Sequence, residues 1–164
     1  MSFGGQSRQR WGDNTIHAGE YIRDIQVTDL SGRVNHTGPM RGKGGLLLVF
    51  FDSSTASQEL LPVLQQVADA CKESGKLSVL GLCAGDEALA RAIASETGIS
   101  FPIALDHGNY LGMTYGIGTY PCAYLVRPNG SVALKLRGLL RPRQKEALGA
   151  EAAALCGIAP ITLE

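Results

Sequence analysis

Six consecutive apolar residues, Leu46 to Phe51, stand between Gly44-Gly45 and Asp52. A strand with one face in water alternates apolar and polar residues, whereas a short unbroken apolar run needs cover on both faces. The run therefore predicts the central strand of a sheet with material packed above and below it. Leu77 to Cys83 has the same character. Between the two, Leu60, Leu64, Val67 and Cys71 recur at helical spacing, which predicts a helix to about Glu73 with Cys71 turned to the core. Thr55 and Gln58 are spaced for a capping box. Pro62 is expected to kink this helix. Strand, helix and strand in this order make a parallel unit with a right-handed crossover.

The flanking segments extend the pattern. Ile22 to Val27 alternates, Asp29-Leu30-Ser31-Gly32 supplies a turn, and Val34 begins a return strand, so an N-terminal hairpin is expected. Asp86 can cap a helix running to about Thr97, with Gly98 at its end. Phe101 to Leu105 reads as a short extended piece, and Asp106 to Tyr115 as a loop with one or two helical turns. Ala123 to Val126 and Val132 to Leu136 are strands joined by the turn Arg127-Pro128-Asn129-Gly130. Pro142 opens an Ala-rich helix to about Leu155.

Charge and cysteine usage exclude several functions. Fifteen Lys and Arg balance fifteen Asp and Glu, so no basic field points to nucleic acid or an anionic membrane. No apolar run approaches the roughly 18 residues of a membrane span. Residues 1–18 read as a flexible polar leader without the apolar stretch of a secretory signal, which leads to an expected cytoplasmic location. Residues 19–158 form the expected domain and 159–164 a tail. Cys71, Cys83, Cys122 and Cys156 lack both C-x-x-C and metal-knuckle spacing, so no metal or cofactor is expected. Cys71 and Cys156 read as structural thiols.

The order of these elements, with several local strings, resembles the thioredoxin superfamily, and most closely its redoxin (AhpC/TSA) and TlpA-like branch. The matching strings run from Gly19 to Leu139. Val27 to Val34 resembles the entry hairpin, and Arg41-Gly42-Lys43 the approach to the central strand. Leu46 to Phe51, followed by Pro62, resembles the active-site strand and its kinked helix. Val79 to Cys83 resembles the next strand, and Phe101-Pro102 and Asp106 follow as in the family. Tyr115-Gly116-Ile117-Gly118-Thr119-Tyr120-Pro121 resembles the approach to a cis-proline. The resemblance implies an α/β, thioredoxin-like three-layer α/β/α sandwich, with a central mixed sheet and the hairpin as an N-terminal extension. It also implies a relation to thiol-disulfide oxidoreductases and antioxidant peroxidases.

Such enzymes need a thiolate at the N-terminus of the kinked helix, where the helix dipole lowers the thiol pKa. Counting back from Pro62, the two family cysteine positions fall on Ser54 and Ser57, and the usual tryptophan is Ser53. A hydroxyl is not ionised near neutral pH and forms no disulfide. Three readings stand at this point. The chain is a binding or structural member; or Cys83 or Cys122 carries a thiol-dependent activity; or the serines mark a Cys→Ser variant of an active enzyme. In the first reading Thr55, Tyr120 and Pro121 shape a groove for a peptide or protein partner. A homodimer is implied by resemblance alone. Cys83 and Cys122 are expected on opposite sides of the central strand, about 10 Å apart, too far for a disulfide. His107 is the one histidine whose loop could approach the same edge.

Overall fold

The structure, a computed structural model, describes residues 16–164, so most of the expected leader lies outside the described residues. Seven strands and five helices follow in order: β1 (Gln26–Thr28), β2 (Val34–His36), α1 (Thr37–Met40), β3 (Leu46–Phe51), α2 (Thr55–Ala70), β4 (Ser78–Cys83), α3 (Glu87–Thr97), β5 (Ile103–Leu105), α4 (Tyr110–Thr114), β6 (Cys122–Val126), β7 (Val132–Arg137) and α5 (Pro142–Cys156). A 3-10 turn, His107–Asn109, precedes α4.

The apolar run is β3, and it occupies the centre of a five-stranded sheet of order β5-β4-β3-β6-β7. β4 runs parallel to β3, and β6 antiparallel, so the sheet is mixed as expected. All six β3 residues are buried. Leu47, Val49 and Phe51 join one core with α2, α3 and α5, through residues such as Leu64, Ile93 and Leu148. Leu46, Leu48 and Phe50 join the other, with Ile22, Tyr115 and Ile117. Each such side chain contributes about 1.5–3 kcal/mol relative to exposure. The second face is covered by the short α4 region and the N-terminal segment, where the first face has three full helices. Gly81 allows that first face to close, because a Cβ there would meet the Phe51 ring at 3.0 Å and the Phe101 ring at 3.2 Å.

The N-terminal segment holds both margins of the sheet. Gly19 and Ile22 donate backbone hydrogen bonds to the carbonyls of Val132 and Gly130, and Leu30 donates to that of Ile103. The hairpin pairs Gln26 with His36 through Thr28 with Val34. Its alternating residues begin earlier, at Ile22, but regular pairing starts only at Gln26; Tyr21 instead bridges Ser131. The extended piece before Asp106 proves to be β5, which pairs with β4 over Ile103–Leu105.

Two local expectations are corrected. The capping box of Thr55 and Gln58 does not form: Ser54 caps α2 by accepting from the Ser57 amide, and Gln58 Nε2 donates to the Ser53 carbonyl instead. The helix also ends at Ala70, with Cys71 as its C-cap, and it continues through Pro62. Asp86, Gly98 and Pro142 take their expected terminal roles in α3 and α5. Beyond α5 the tail turns back across the helix, where the Ile161 amide donates to the Gly149 carbonyl at 3.3 Å. The Glu164 amide reaches Gln66 Oε1 on α2 at 2.9 Å. Among the described residues no helix is long and apolar enough to cross a membrane.

Candidate functional site

The C-terminal end of β3 delivers Asp52 directly to the N-terminus of α2. Its carboxylate accepts from the Ser54 amide at 3.0 Å and from the Ser57 hydroxyl at 2.9 Å. The Ser57 hydroxyl in turn accepts from the Asp52 amide at 3.1 Å and from the Ser54 hydroxyl at 3.2 Å. Ser54 closes the cluster by accepting from the Ser57 amide at 3.2 Å. Ser57 is fully buried, Ser54 is half-buried and Thr55 is exposed. Burial pushes the Asp52 carboxyl up, but the hydrogen bonds from Ser54 and Ser57 outweigh it and hold the group below its ordinary range. Both serines are thus engaged as cap and anchor of the turn.

The Tyr120–Pro121 peptide is cis. Phe50 pairs with Cys122, and the same register sets Pro121 beside Phe51, next to Asp52. Tyr120 is half-buried. Burial chiefly, then the carboxylates of Asp106 and Asp52, raise its phenol pKa, which ties its ring to the same acidic corner. Asp106 is itself buried and accepts from the amides of Leu111 and Gly112, each at 2.8 Å, so it fixes α4 beside Tyr120. A Cβ on Gly112 would lie 2.8 Å from the Tyr120 hydroxyl. On the other side, the Gly138 amide donates to the Pro121 carbonyl at 3.0 Å, and the neighbouring Leu139 is 55% exposed. The structure therefore gathers Ser54, Thr55, Ser57, Tyr120 and Pro121 at one margin of the sheet. Asp52 and Leu139 belong to the same corner without having been singled out in the sequence, and Asp106, one of the residues that carry the family resemblance, joins them there. Only Asp52 carries a readable signal there, as the lone acid between a central strand and a helix cap.

Cys83 and Cys122 are not brought together. They flank β3 in register with Phe51 and Phe50, and their side chains enter different cores on opposite faces of the sheet. Cys83 is fully buried, and burial, then the Asp52 and Asp86 carboxylates, push its thiol up to about 11. Burial also raises Cys122, against smaller opposing effects from Tyr124, Lys135 and Arg137. All four cysteines are free and buried. His107 is exposed and lines a recess with Asp86 and Asp106 that neither Ser54 nor Ser57 enters. No group of three or more metal-ligating side chains is found among the described residues.

No family model matches the chain. Its curated relatives include the thiol-disulfide oxidoreductase ResA of Bacillus thuringiensis (strain Al Hakam), 26% identical over 132 residues, which span 80% of this chain and 76% of the relative. The thiol-disulfide oxidoreductase ResA of Geobacillus thermodenitrificans is 25% identical over 126 residues, spanning 76% and 72%. Among solved structures, a DsbE-like thiol:disulfide interchange protein from Chlorobium tepidum superposes with a TM-score of 0.76 at 23% identity, over 87% of this chain and 100% of that one. A secreted disulfide oxidoreductase of Mycobacterium tuberculosis gives a TM-score of 0.67 at 19% identity, over 79% and 95%. The fold is thioredoxin-like, and the relatives in sequence are thiol-disulfide oxidoreductases.

Proposed function

We propose that this chain, a thioredoxin-fold relative of thiol-disulfide oxidoreductases, is a binding member that holds an extended peptide segment of a partner protein without redox turnover at the α2 N-terminus. One observation carries this reading: Ser54 and Ser57 stand at the head of α2 and are bound into a hydroxyl–carboxylate cluster with Asp52. A hydroxyl there offers neither a thiolate nor a disulfide. The hydrogen bonds also suit serine at both positions, which supports serine as the working residue. Exposed Leu139, next to the Gly138 amide that donates to the Pro121 carbonyl, would give such a peptide an apolar anchor, and half-buried Tyr120 an aromatic contact. Exposed Thr55 would add a hydroxyl.

The competing reading is a thiol-dependent oxidoreductase or peroxidase acting through Cys83 or Cys122. The burial of both thiols counts against it, since a thiol raised to about 11 supplies almost no nucleophile near neutral pH. Two measurements on the full chain test the proposal. Insulin reduction and peroxide consumption should stay at the level of buffer. Fluorescence anisotropy with labelled extended apolar peptides should show saturable binding that Leu139→Asp and Tyr120→Ala weaken. Turnover in either assay, or peptide binding indifferent to both substitutions, overturns the proposal.

A further inference from the structure

Two thiols that the candidate site does not use meet at the opposite end of α2. Cys71 is the C-cap of α2, and Cys156 is the last residue of α5. They are 1% and 2% exposed and belong to one core cluster. The last turn of α5 and the segment that follows α2 converge on the same point. A Cβ on Gly44 would lie 2.9 Å from the carbonyl oxygens of both Lys76 and Leu155, and one on Gly157 would lie 3.6 Å from Lys76 Nζ. The thiols themselves interact: burial first, then the Cys156 side chain, push Cys71 up to about 12. Cys83 and Cys122 have no such partner, because β3 stands between them.

We propose that Cys71 and Cys156 form a disulfide site, oxidised by hydrogen peroxide, that staples the C-terminal ends of α2 and α5. Either thiol, ionised during a local opening, attacks the peroxide O–O bond to give a sulfenic acid and one water. The other thiol then attacks that sulfur, the S–S bond forms, and a second water leaves. Overall the two thiols lose two electrons and two protons, and one peroxide becomes two waters. Access comes from position. Each cysteine sits at a helix end, followed by exposed Lys72 and Glu73 in one case and exposed Gly157 in the other, and helix ends open at lower cost than helix centres. A dithiol reductant restores the reduced pair. The pair shares no residue with the α2 N-terminus: peroxide consumption that Cys156→Ala abolishes belongs to this pair, and consumption that survives Cys156→Ala counts against the binding reading, so the two failures are distinguishable.

Trypsin separates the two cysteines cleanly. Residues 44–72 carry Cys71 alone, and residues 146–164 carry Cys156 alone. The folded full chain is exposed to hydrogen peroxide, quenched with a thiol-blocking reagent and digested without reductant. The expected product is peptide 44–72 joined to peptide 146–164, lost on treatment with dithiothreitol. The oxidised chain should melt about 5–10 °C higher than the reduced one. Cys156→Ala should abolish the joined peptide. Should that variant fail to fold, the map of the unaltered chain decides alone. Separate sulfinic acids on the two peptides, blocked thiols on both, or joining only in denaturant overturns the proposal.

Discussion

The Ser57 hydroxyl is bonded to Asp52 twice, donating to its carboxylate at 2.9 Å and accepting from its amide at 3.1 Å. A single buried side chain thereby ties the end of the central strand to the first turn of α2. Removing it leaves both Asp52 groups short of a partner. Ser57→Ala should cost about 1–3 kcal/mol in urea unfolding and raise the Asp52 pKa toward its ordinary value. An unchanged unfolding midpoint would show that the cluster contributes nothing net.

Ser54→Cys combined with Ser57→Cys rebuilds the thiol spacing at the head of α2. The double variant should gain insulin-reducing activity absent from the parent chain. A thiol at 57 would sit buried against the Asp52 carboxylate, both of which raise its pKa, so the thiol at half-buried position 54 should alkylate first. Alkylation of position 57 ahead of 54 would contradict the burial of position 57.

Thiol labelling of the unaltered chain should be slow. At a pKa of about 11, Cys83 is ionised to only about one part in ten thousand at pH 7. All four cysteines should react with a disulfide reagent at a rate limited by opening of the chain, and promptly in guanidinium. A fast-reacting native thiol would revive the enzymatic reading.

Asp29 links the hairpin turn to pH. It is 8% exposed and accepts from the amides of Ser31 and Arg33 and from Asn35 Nδ2. Hydrogen bonding by Ser31, which outweighs burial, lowers it from 3.8 to about 2. A carboxyl depressed in the folded state adds stability that is complete above its unfolded pKa and is lost as pH falls through the folded one. Stability should therefore decline between about pH 4 and pH 2, and Asp29→Asn should flatten that decline. Acid unfolding curves of the two chains make the comparison.

Gly149→Ala should reverse the usual helix rule. In an exposed helix interior the change adds about 1 kcal/mol of stability. Here a Cβ would strike the Ile161 carbonyl of the tail laid over α5. The variant should melt lower than the parent and lose the tail faster to carboxypeptidase. A higher melting point would mean that the tail yields freely.

The features legible in the sequence were those with a local cause. β3 was readable because burial on both faces leaves no polar position in Leu46 to Phe51. The placement of Ser54 and Ser57 followed from their distance to Pro62 along one helix. Of the hydroxyl residues able to cap α2 by type, Ser54 takes the role and the Thr55–Gln58 box does not form, a choice that depends on how Asp52 turns the chain. β5, at three residues, is too short for any period to register, so the sequence marks only an extended piece at Phe101 to Leu105 and not its partner β4. Asp106 is marked in the sequence only by resemblance, and its hold on α4 beside Tyr120 is tertiary, as is the approach of Leu139 after β7. The meeting of Cys71 with Cys156 is similarly tertiary, since it needs two helices to end at one place.

The lacing of the sheet by residues 19–30 bears on the order in which the chain can assemble. Gly19 and Ile22 hydrogen-bond to Val132 and Gly130, which are made long after them. They have nowhere to dock until the β6–β7 hairpin exists. Ile22 and Ile25, destined for the second core or its margin, stay unsheltered throughout that interval. Long-range closure of this kind slows folding and prolongs exposure of apolar chain. Residues 19–30 are the seam sewn last, although they are spun before both edges that they join.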